Sequence, residues 1–368
     1  MHTEQNEQPV LNEQPVHKEQ PVQKKHSVHQ AEESGIRKRY RIVLLILLFV
    51  LIFGTFLSFL VGYYPLTLSE VVKAFATGFG YQGDVSQQAV TIFWNIRLPR
   101  IMSAILIGAS LSVAGSVFQG MFRNPLVSPD ILGVSSGASL GAAIAILGGT
   151  TALLIQVSAF IGGIAAVSAA YLISRKSPHP QTLSLVLTGA MIMALGNAGV
   201  TMVKYVANPN DVLPQLTFWL MGSLAKTNMQ SLGWSSIPML TGLVAVFILR
   251  WRINLLTLDE EEAKSLGVNI RLYRILFIIA STLLSAAAVC LGGLIGWVGL
   301  MMPHIGRALV GPCYRRLIPA CMMLGAIYLV LMDSIARSVL SSELPLGVVT
   351  SVMGAPFFVY LIIKKRGA

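Results

Sequence analysis

Two arginines, Arg97 and Arg100, flank a Leu-Pro pair just before a long apolar stretch. A guanidinium group stays charged and offers several donors in a fixed fork, so it binds carboxylates well. One interpretation is that both side chains only extend to the polar edge of an apolar layer. The other is an electropositive docking site for an acidic partner, which would set its orientation and association rate. The two residues alone leave both interpretations open.

A second charged group is the acidic run Asp259–Glu262, which follows Leu258 and leads through Ala263 to Gly267. Acidic residues are favoured in the first turn of a helix, and glycine is favoured just past its last turn. The pattern therefore predicts a short helix that ends at Gly267. Such a helix has a purely structural interpretation, and it would also suit a lever that contacts a partner subunit.

Several kinds of chemistry are missing from the sequence. No Gly-Lys pair occurs, so there is no P-loop to bind the phosphates of ATP. An ion-coupled transporter needs ionisable groups in mid-membrane. The sixteen acidic residues instead fall in the N-terminal tail, in loops or at the ends of apolar stretches. No serine–histidine or paired-aspartate arrangement indicates an intramembrane protease.

Metal ligands are too few for a bare cation. His304 is the only histidine beside the apolar stretches, and a single hydrogen bond is a more common role for such a residue. Cys290, Cys313 and Cys321 fit no metal-binding spacing, and a buried cysteine commonly acts as a small hydrophobic residue. We therefore predict no metal site and no cofactor.

The elements that must position these residues are membrane-spanning helices. Hydrophobic residues make up 54% of the 368-residue chain, charged residues only 12%, and the mean hydropathy is +0.68. Many stretches of about 18 or more residues are nearly free of charge, which is enough to cross a bilayer as a helix. The sequence predicts an all-α polytopic membrane protein with about ten spans, the eighth being rich in Gly and Pro and expected to break. The predicted spans are 42–62, 99–118, 131–148, 152–174, 183–206, 230–249, 273–292, 294–309, 317–335 and 346–363.

The first 41 residues have a different composition. The tetrapeptide Glu-Gln-Pro-Val occurs three times, at Glu7–Val10, Glu13–Val16 and Glu19–Val22. Proline, glutamine and charge without an apolar face predict disorder. We therefore divide the chain into a disordered cytoplasmic tail, 1–41, and a transmembrane domain, 42–366.

The basic residues are distributed unevenly along this topology. If the N-terminus is cytoplasmic, 21 of the 27 Lys and Arg residues lie in the tail or in inner loops. Positive charge concentrates on the cytoplasmic side, so both termini are expected there. The formal net charge of +11 is spread over short loops, which argues against a nucleic-acid partner.

A series of short motifs follows in a characteristic order. They are Arg97-Leu-Pro-Arg100, Asn124-Pro-Leu126, Leu132-Gly-Val-Ser135, Ala263 to Gly267, Gly299 to Arg307, Glu343 to Thr350 and Gly354-Ala-Pro356. In this order they resemble the FecCD family, the permease subunits of ABC importers for iron–siderophore complexes, haem and vitamin B12. The resemblance covers about residues 40–366, and it implies a BtuC-like, type II importer permease in the cytoplasmic membrane.

The resemblance also implies partners and roles for particular residues. It implies two cytoplasmic ATP-binding subunits, an extracytoplasmic substrate-binding protein and a second permease, which is either an identical copy or a paralogue. The residues that match the family's docking arginines are Arg97, Arg100 and Arg337. Those that match its ATPase-coupling helix are Glu260, Ala263, Leu266 and Gly267. Those that match its inner gate are Asn124, Leu126 and Thr182.

The predicted function is import of a ferric siderophore with ATP hydrolysed by a separate subunit, so the chain itself is not expected to be an enzyme. A permease of the same fold that imports haem or cobalamin is the alternative. An ion-coupled secondary transporter is a more distant one. The sequence does not name the siderophore, because the substrate-binding protein selects large chelates.

Overall fold

The computed structural model consists of α-helices that follow the apolar stretches of the sequence. It describes residues 20–62, 64–81, 83–178, 180–258, 265, 267, 269–340 and 342–365, and for 20–34, 361, 362, 364 and 365 the backbone alone. The chain divides into one unit that ends at Val43 and a second, Leu44–Ala368, that carries all later elements.

The described residues include fourteen helices with assigned bounds and two irregular turns. In chain order the helices are α1 (Gln20–Leu60), α2 (Leu68–Thr77), α3 (Gln87–Thr91), α4 (Leu98–Met121), α5 (Val134–Leu147), α6 (Ala152–Ser174), α7 (Gln181–Val206), α8 (Val212–Met221), α9 (Met229–Leu249), α10 (Ile253–Leu256), α11 (Ile270–Gly292), α12 (Val298–Val310), α13 (Tyr314–Ser338) and α14 (Leu346–Lys365). A π-helical turn, Ile92–Arg97, leads into α4, and a 3-10 turn, Arg250–Arg252, leads into α10.

The prediction of about ten spans in an all-α membrane protein is confirmed. Within the described residues, seven stretches of helix are long and apolar enough to cross a membrane. One is the part of α1 from Gly35 to Leu60, and the others contain α4, α6, α7, α9, α11 and α13. The other three predicted spans correspond to the shorter apolar helices α5, α12 and α14. The sequence did not predict α8, which lies in the connection between α7 and α9.

Helix α1 begins well before the predicted first span. It runs from Gln20, whereas the predicted first span starts at residue 42, and the disorder expected of the tail stays a prediction. Glutamine, lysine, arginine and glutamate make up eleven of the 22 residues from 20 to 41, and all of them favour helix. The first two Glu-Gln-Pro-Val repeats lie outside the described residues.

Helix α4 is buried along nearly its whole length, and α9, α11, α12 and α13 pack against it. Small residues allow this close approach. A Cβ atom at Gly108 would collide with the carbonyl oxygen of Gly325 on α13, and one at Gly115 with that of Gly299 on α12. The glycines therefore bring three helix backbones into direct contact.

The predicted eighth span, 294–309, is helical only from Val298, and the helix that begins there is not itself broken. Helix α11 ends at Gly292, residues 293–297 are not helical, and Gly293 and Trp297 both have a φ of +71°. Irregular backbone inside a membrane needs partners from elsewhere in the protein. The turn after α8 supplies one, because the Ser223 N–H donates to the Gly292 carbonyl at 2.9 Å. The same turn holds the start of α14, since the Leu346 N–H donates to the Gly222 carbonyl at 2.9 Å.

Candidate functional site

A network of buried charges lies where α4 begins and α13 ends, which we call the Arg97 side of the molecule. Arg100 Nε lies 2.8 Å from Asp333 Oδ1, and its Nη1 lies 2.7 Å from Glu343 Oε1. Arg337 Nε lies 3.0 Å from Asp333 Oδ2. The Asp333 side chain is 1% exposed, whereas that of Glu343 is 42% exposed. One buried carboxylate is therefore shared by two arginines, and a second, partly open carboxylate covers one of them.

The same network holds the end of α1. Arg97 donates to the carbonyl oxygens of Phe59 and Tyr64. Arg337 donates from Nη2 to Ser58 Oγ at 2.7 Å and from Nη1 to the Val61 carbonyl at 3.0 Å. The last carbonyls of a helix have no partner within it, and cationic side chains are favourable there. These two arginines therefore join the end of α1 to α4 and α13.

The structure brings the three predicted docking arginines together, but it does not leave them on an exposed surface. Arg97, Arg100 and Arg337 are 4%, 4% and 6% exposed, and all three bind groups of this chain. The exposed electropositive site expected from sequence is thus replaced by an internal network. Their docking role stays a prediction. Sequence reasoning missed Asp333, although its spacing of four from Arg337 on one helix was an available signal.

At the other end of α4, on what we call the Arg307 side, Arg123 has a φ of +50°. This left-handed conformation is uncommon for a residue other than glycine. Its side chain donates to the Leu258 carbonyl, and Nε lies 3.4 Å from the Leu256 carbonyl oxygen. The end of α4 is therefore tied to the first residue of the predicted coupling segment.

Helix α10 strengthens this connection. Ile253 is fully buried, and a Cβ at Gly120 of α4 would lie 2.9 Å from its Cγ2. Asn254 Oδ1 accepts a hydrogen bond of 3.1 Å from the N–H of Tyr314, the first residue of α13. The segment that leads to residue 258 is thus fixed to both α4 and α13.

Of the four predicted coupling residues, the structure describes Gly267. Glu260, Ala263 and Leu266 lie outside the described residues. Gly267 is described, has a φ of +70° and has open space where a Cβ would project. The left-handed backbone fits the glycine predicted just past a helix end. The coupling role of all four residues stays a prediction.

The predicted gate residues lie on two elements of the Arg307 side. Asn124 forms an Asx turn in which its Oδ1 accepts a 2.9 Å hydrogen bond from the Leu126 N–H, and Leu126 is 61% exposed. Thr182 lies in the first turn of α7. The loop after α4 reaches α7, because a Cβ at Gly189 would collide with the Ile131 carbonyl. Their gating role stays a prediction.

Gln119 fixes the start of this loop. Its Oε1 accepts a 2.6 Å hydrogen bond from Arg307 Nη2 on α12, and its Nε2 lies 3.3 Å from the Val127 carbonyl oxygen. Gln119 is 3% exposed, so these bonds are shielded from solvent. The loop that carries Asn124 and Leu126 is therefore held to α12 as well as to α10.

A cavity of about 370 Å³ lies between α5, α7, α11 and the irregular residues 294–297. Its polar lining includes Ser128, Asp130, Ser135, Ser139, Asn197 and Ser285. Ser139 and Ser285 are 3% and 2% exposed, and neither Oγ has a hydrogen-bond partner among the described residues. These two residues line the cavity, but their hydroxyl oxygens are covered by protein atoms.

Asp130 gives the cavity an acidic wall. Its Oδ1 accepts a 2.7 Å hydrogen bond from the Ser135 N–H in the first turn of α5. Burial raises the pKa of the Asp130 carboxyl, and hydrogen bonds from Ser135 oppose this rise. None of the described residues that line the cavity is Lys or Arg. The cavity thus disfavours a multiply charged anion.

Known proteins match nearly the whole chain. The profile of the FecCD transport family matches residues 50–364. A molybdate import permease of Haemophilus influenzae is 38% identical over 330 residues, 89% of this chain and 97% of that protein. A Helicobacter pylori permease described for an iron chelatin transport system is 39% identical over 298 residues, 81% of this chain and 90% of that protein. A solved structure described as an inward-facing metal-chelate type ABC transporter covers 88% of this chain and 99% of that one, with 36% identity and a TM-score of 0.80.

Proposed function

Because the chain belongs to the FecCD transport family of ABC importer permeases, we propose that it carries a ferric siderophore across the cytoplasmic membrane. ATP is hydrolysed by separate subunits, since the sequence has no P-loop. A substrate-binding protein delivers the chelate at the Arg97 side, and a second permease completes the path. The Arg307 side faces the cytoplasm, as the distribution of basic residues favours.

The cavity beside residues 294–297 is the observation on which the choice of cargo rests. A dianion such as molybdate is stabilised by cationic donors, whereas this cavity offers hydroxyls, an amide and a carboxyl group. An uncharged ferric chelate, such as a tris-hydroxamate, needs no cationic partner, and the exposed Asn197 amide can donate to its outward-facing oxygens. The lining therefore favours an uncharged chelate that keeps its metal fully wrapped.

Energy enters through the segment after Leu258. The ATP-binding subunits press on residues 258–267, and Arg123 transmits the movement because it binds the carbonyls of Leu256 and Leu258. Arg123 directly precedes Asn124, so displacement of the segment moves the Asn124–Leu126 loop. A ligand or subunit shifts such an equilibrium only by binding one state better than the other. The gate formed by this loop and Thr182 would then follow the nucleotide state of the ATP-binding subunits.

The Arg97 side receives the substrate-binding protein. Glu343 forms an ion pair with Arg100 and is partly exposed. An acidic residue of the delivery protein can therefore reach this arginine by displacing Glu343. The network holds three arginines against two acids, so it retains an excess positive charge for such a partner. Docking at this site would therefore loosen a contact that holds residues 342–345 to α4.

The test is uptake into vesicles that contain the chain with its ATP-binding subunits and its substrate-binding protein. Radioiron supplied as a hydroxamate siderophore should accumulate with ATP and stop with an ATPase-inactive subunit. Molybdate, haem and cobalamin are the comparison cargoes under the same conditions. The proposed cargo is wrong if one of these accumulates and the siderophore does not. Accumulation driven by a proton gradient without ATP would contradict the mechanism as well.

Import of molybdate is the second candidate, because the Haemophilus influenzae relative carries that description. If molybdate is the cargo, it should accumulate in the vesicles with ATP, and siderophore iron should not. Asn197→Ala should slow siderophore transport, since it removes one donor to the chelate. Asp130→Asn should speed entry of an oxyanion if molybdate is the cargo.

A further inference from the structure

A second cavity, of about 360 Å³, lies on the outer surface of the bundle between α6 and α11. Its apolar lining includes Ile164, Val167, Leu172, Ile275, Ile278, Ile279 and Leu283. Leu172 and its neighbour Ile279 are 58% and 52% exposed, so the cavity is an open groove. From Ile164 to Leu172 it extends over roughly 12 Å of helix. It is separate from the cavity proposed for cargo.

Basic side chains stand at one end of this groove. Exposed Arg175 and Lys176 follow the end of α6, and exposed Arg271 lies in the first turn of α11. The two helix ends are adjacent, because Arg274 Nη1 donates to Gln181 Oε1 at 2.5 Å and Gln181 starts the helix after α6. The segments 174–181 and 269–275 contain no acidic residue. Positive charge is therefore concentrated at the end of an apolar groove.

The groove also contains a hydroxyl group without a partner near its basic end. Tyr171 lies one turn before Arg175, and its buried hydroxyl has no hydrogen-bond partner among the described residues. A polar group in hydrocarbon needs such a partner. The ester carbonyl of a lipid lies just below its headgroup, which is where this hydroxyl lies relative to the basic residues.

We propose that this groove binds one anionic phospholipid, with an acyl chain along Ile164–Leu172 and the phosphate at Arg175, Lys176 and Arg271. The charge decides the class of occupant, because basic residues beside apolar helices attract anionic headgroups. A zwitterionic lipid fills the apolar groove equally well but gains less at its basic end. The occupied groove joins the end of α6 to the start of α11, close to the end of the predicted coupling segment.

Native mass spectrometry of the full-length chain in detergent tests this proposal. Phosphatidylglycerol is titrated against phosphatidylcholine with identical acyl chains. The anionic lipid should bind at least about tenfold more tightly, and the triple variant R175Q/K176Q/R271Q should lose that preference. Arg315→Gln, which removes an exposed charge from the start of α13, is the matched control and should keep it.

A second variant tests the groove itself. Val167→Phe places a larger apolar side chain in the groove and should lower the occupancy of both lipids without changing the charge. Equal binding of the two lipids by the wild-type chain would overturn the proposal, as would an undiminished preference in the triple variant. A change from dimer to monomer in Val167→Phe would also overturn it, because the groove would then be a contact between subunits.

Discussion

Arg100 and Asp333 lie 233 residues apart in the sequence, yet Arg100 Nε lies 2.8 Å from Asp333 Oδ1 in a nearly closed environment. Asp333 also lies 3.0 Å from Arg337, so two buried guanidinium groups share one carboxylate. Charges taken out of water need such partners. The network therefore acts as a structural joint between α4 and α13.

Removing the shared carboxylate should be severe. Asp333→Ala leaves two buried cations without their common partner, and breaking a buried ion pair typically costs about 3–5 kcal/mol. We expect a large drop in the melting temperature of the purified chain. Glu343→Gln is the control, because it neutralises the other carboxylate that binds Arg100. Glu343 is partly exposed, and exposed ion pairs contribute about 1 kcal/mol or less to stability. Similar melting temperatures for the two variants would contradict the structural role of Asp333 between α4 and α13.

The end of α1 should depend on Arg97. Arg97→Met removes the donor that satisfies the carbonyls of Phe59 and Tyr64, so residues 57–62 should fray. Hydrogen exchange at these residues is expected to rise at least about tenfold, while exchange within α9 stays unchanged. Lys226→Met, an exposed cation on the same side, should leave the exchange at 57–62 unaltered. A uniform rise throughout the chain would indicate general destabilisation instead.

Arg123 should be needed for coupling but not for folding. Arg123→Gly keeps the left-handed backbone at low cost and removes the guanidinium group. Transport per ATP hydrolysed should fall at least about tenfold in vesicles, while basal ATP hydrolysis by the complex persists.

Two further substitutions sharpen this test of coupling. Gly267→Asp, in the predicted lever, should give the same uncoupled behaviour, and Arg315→Gln should behave as wild type. An unchanged ratio of transport to hydrolysis in Arg123→Gly would rule out transmission through its contacts with Leu256 and Leu258.

The glycine contacts of α4 should tolerate no added methyl group. In Gly115→Ala the new Cβ meets the backbone of Gly299, so α12 must move, and overpacking of this kind costs about 1–3 kcal/mol. Gly233→Ala, within α9, adds the same atom where no neighbour lies within 4 Å. That variant should be neutral or stabilised by up to about 1 kcal/mol. Thermal unfolding of both variants checks the difference, and equal stability would contradict the packing.

Glu343 should compete with the substrate-binding protein. Glu343→Gln weakens the intramolecular partner of Arg100, so a carboxylate of the incoming protein should bind more tightly, by about three- to tenfold. Surface plasmon resonance on the permease in nanodiscs measures this affinity at low and high salt. Glu343→Asp keeps the charge and should stay near wild type. Weaker docking in Glu343→Gln would instead place Glu343 itself in the interface.

The sequence predicted the helices well because apolar length and turn residues are local signals. It indicated an irregular eighth span for the same reason, but the non-helical residues 293–297 precede α12 and do not divide it. The burial of Arg97, Arg100 and Arg337 was not predictable, because it depends on Asp333 and on carbonyls at the end of a different helix. Arg123 escaped notice for a similar reason, as the carbonyls it binds lie more than 130 positions away. Helix α8 was hidden because a ten-residue apolar segment is shorter than a span.

The enclosure of α4 has a consequence for how the chain is made. Its packing partners α11, α12 and α13 emerge from the ribosome about 150 residues or more after α4 is complete. At 5–20 residues per second, this helix waits for roughly 8–30 s or longer in the bilayer. During that interval Ser110, Ser112 and Ser116, later fully buried, face lipid or transient neighbours. The helix at the centre of the finished protein is therefore among the first inserted and the last to be surrounded.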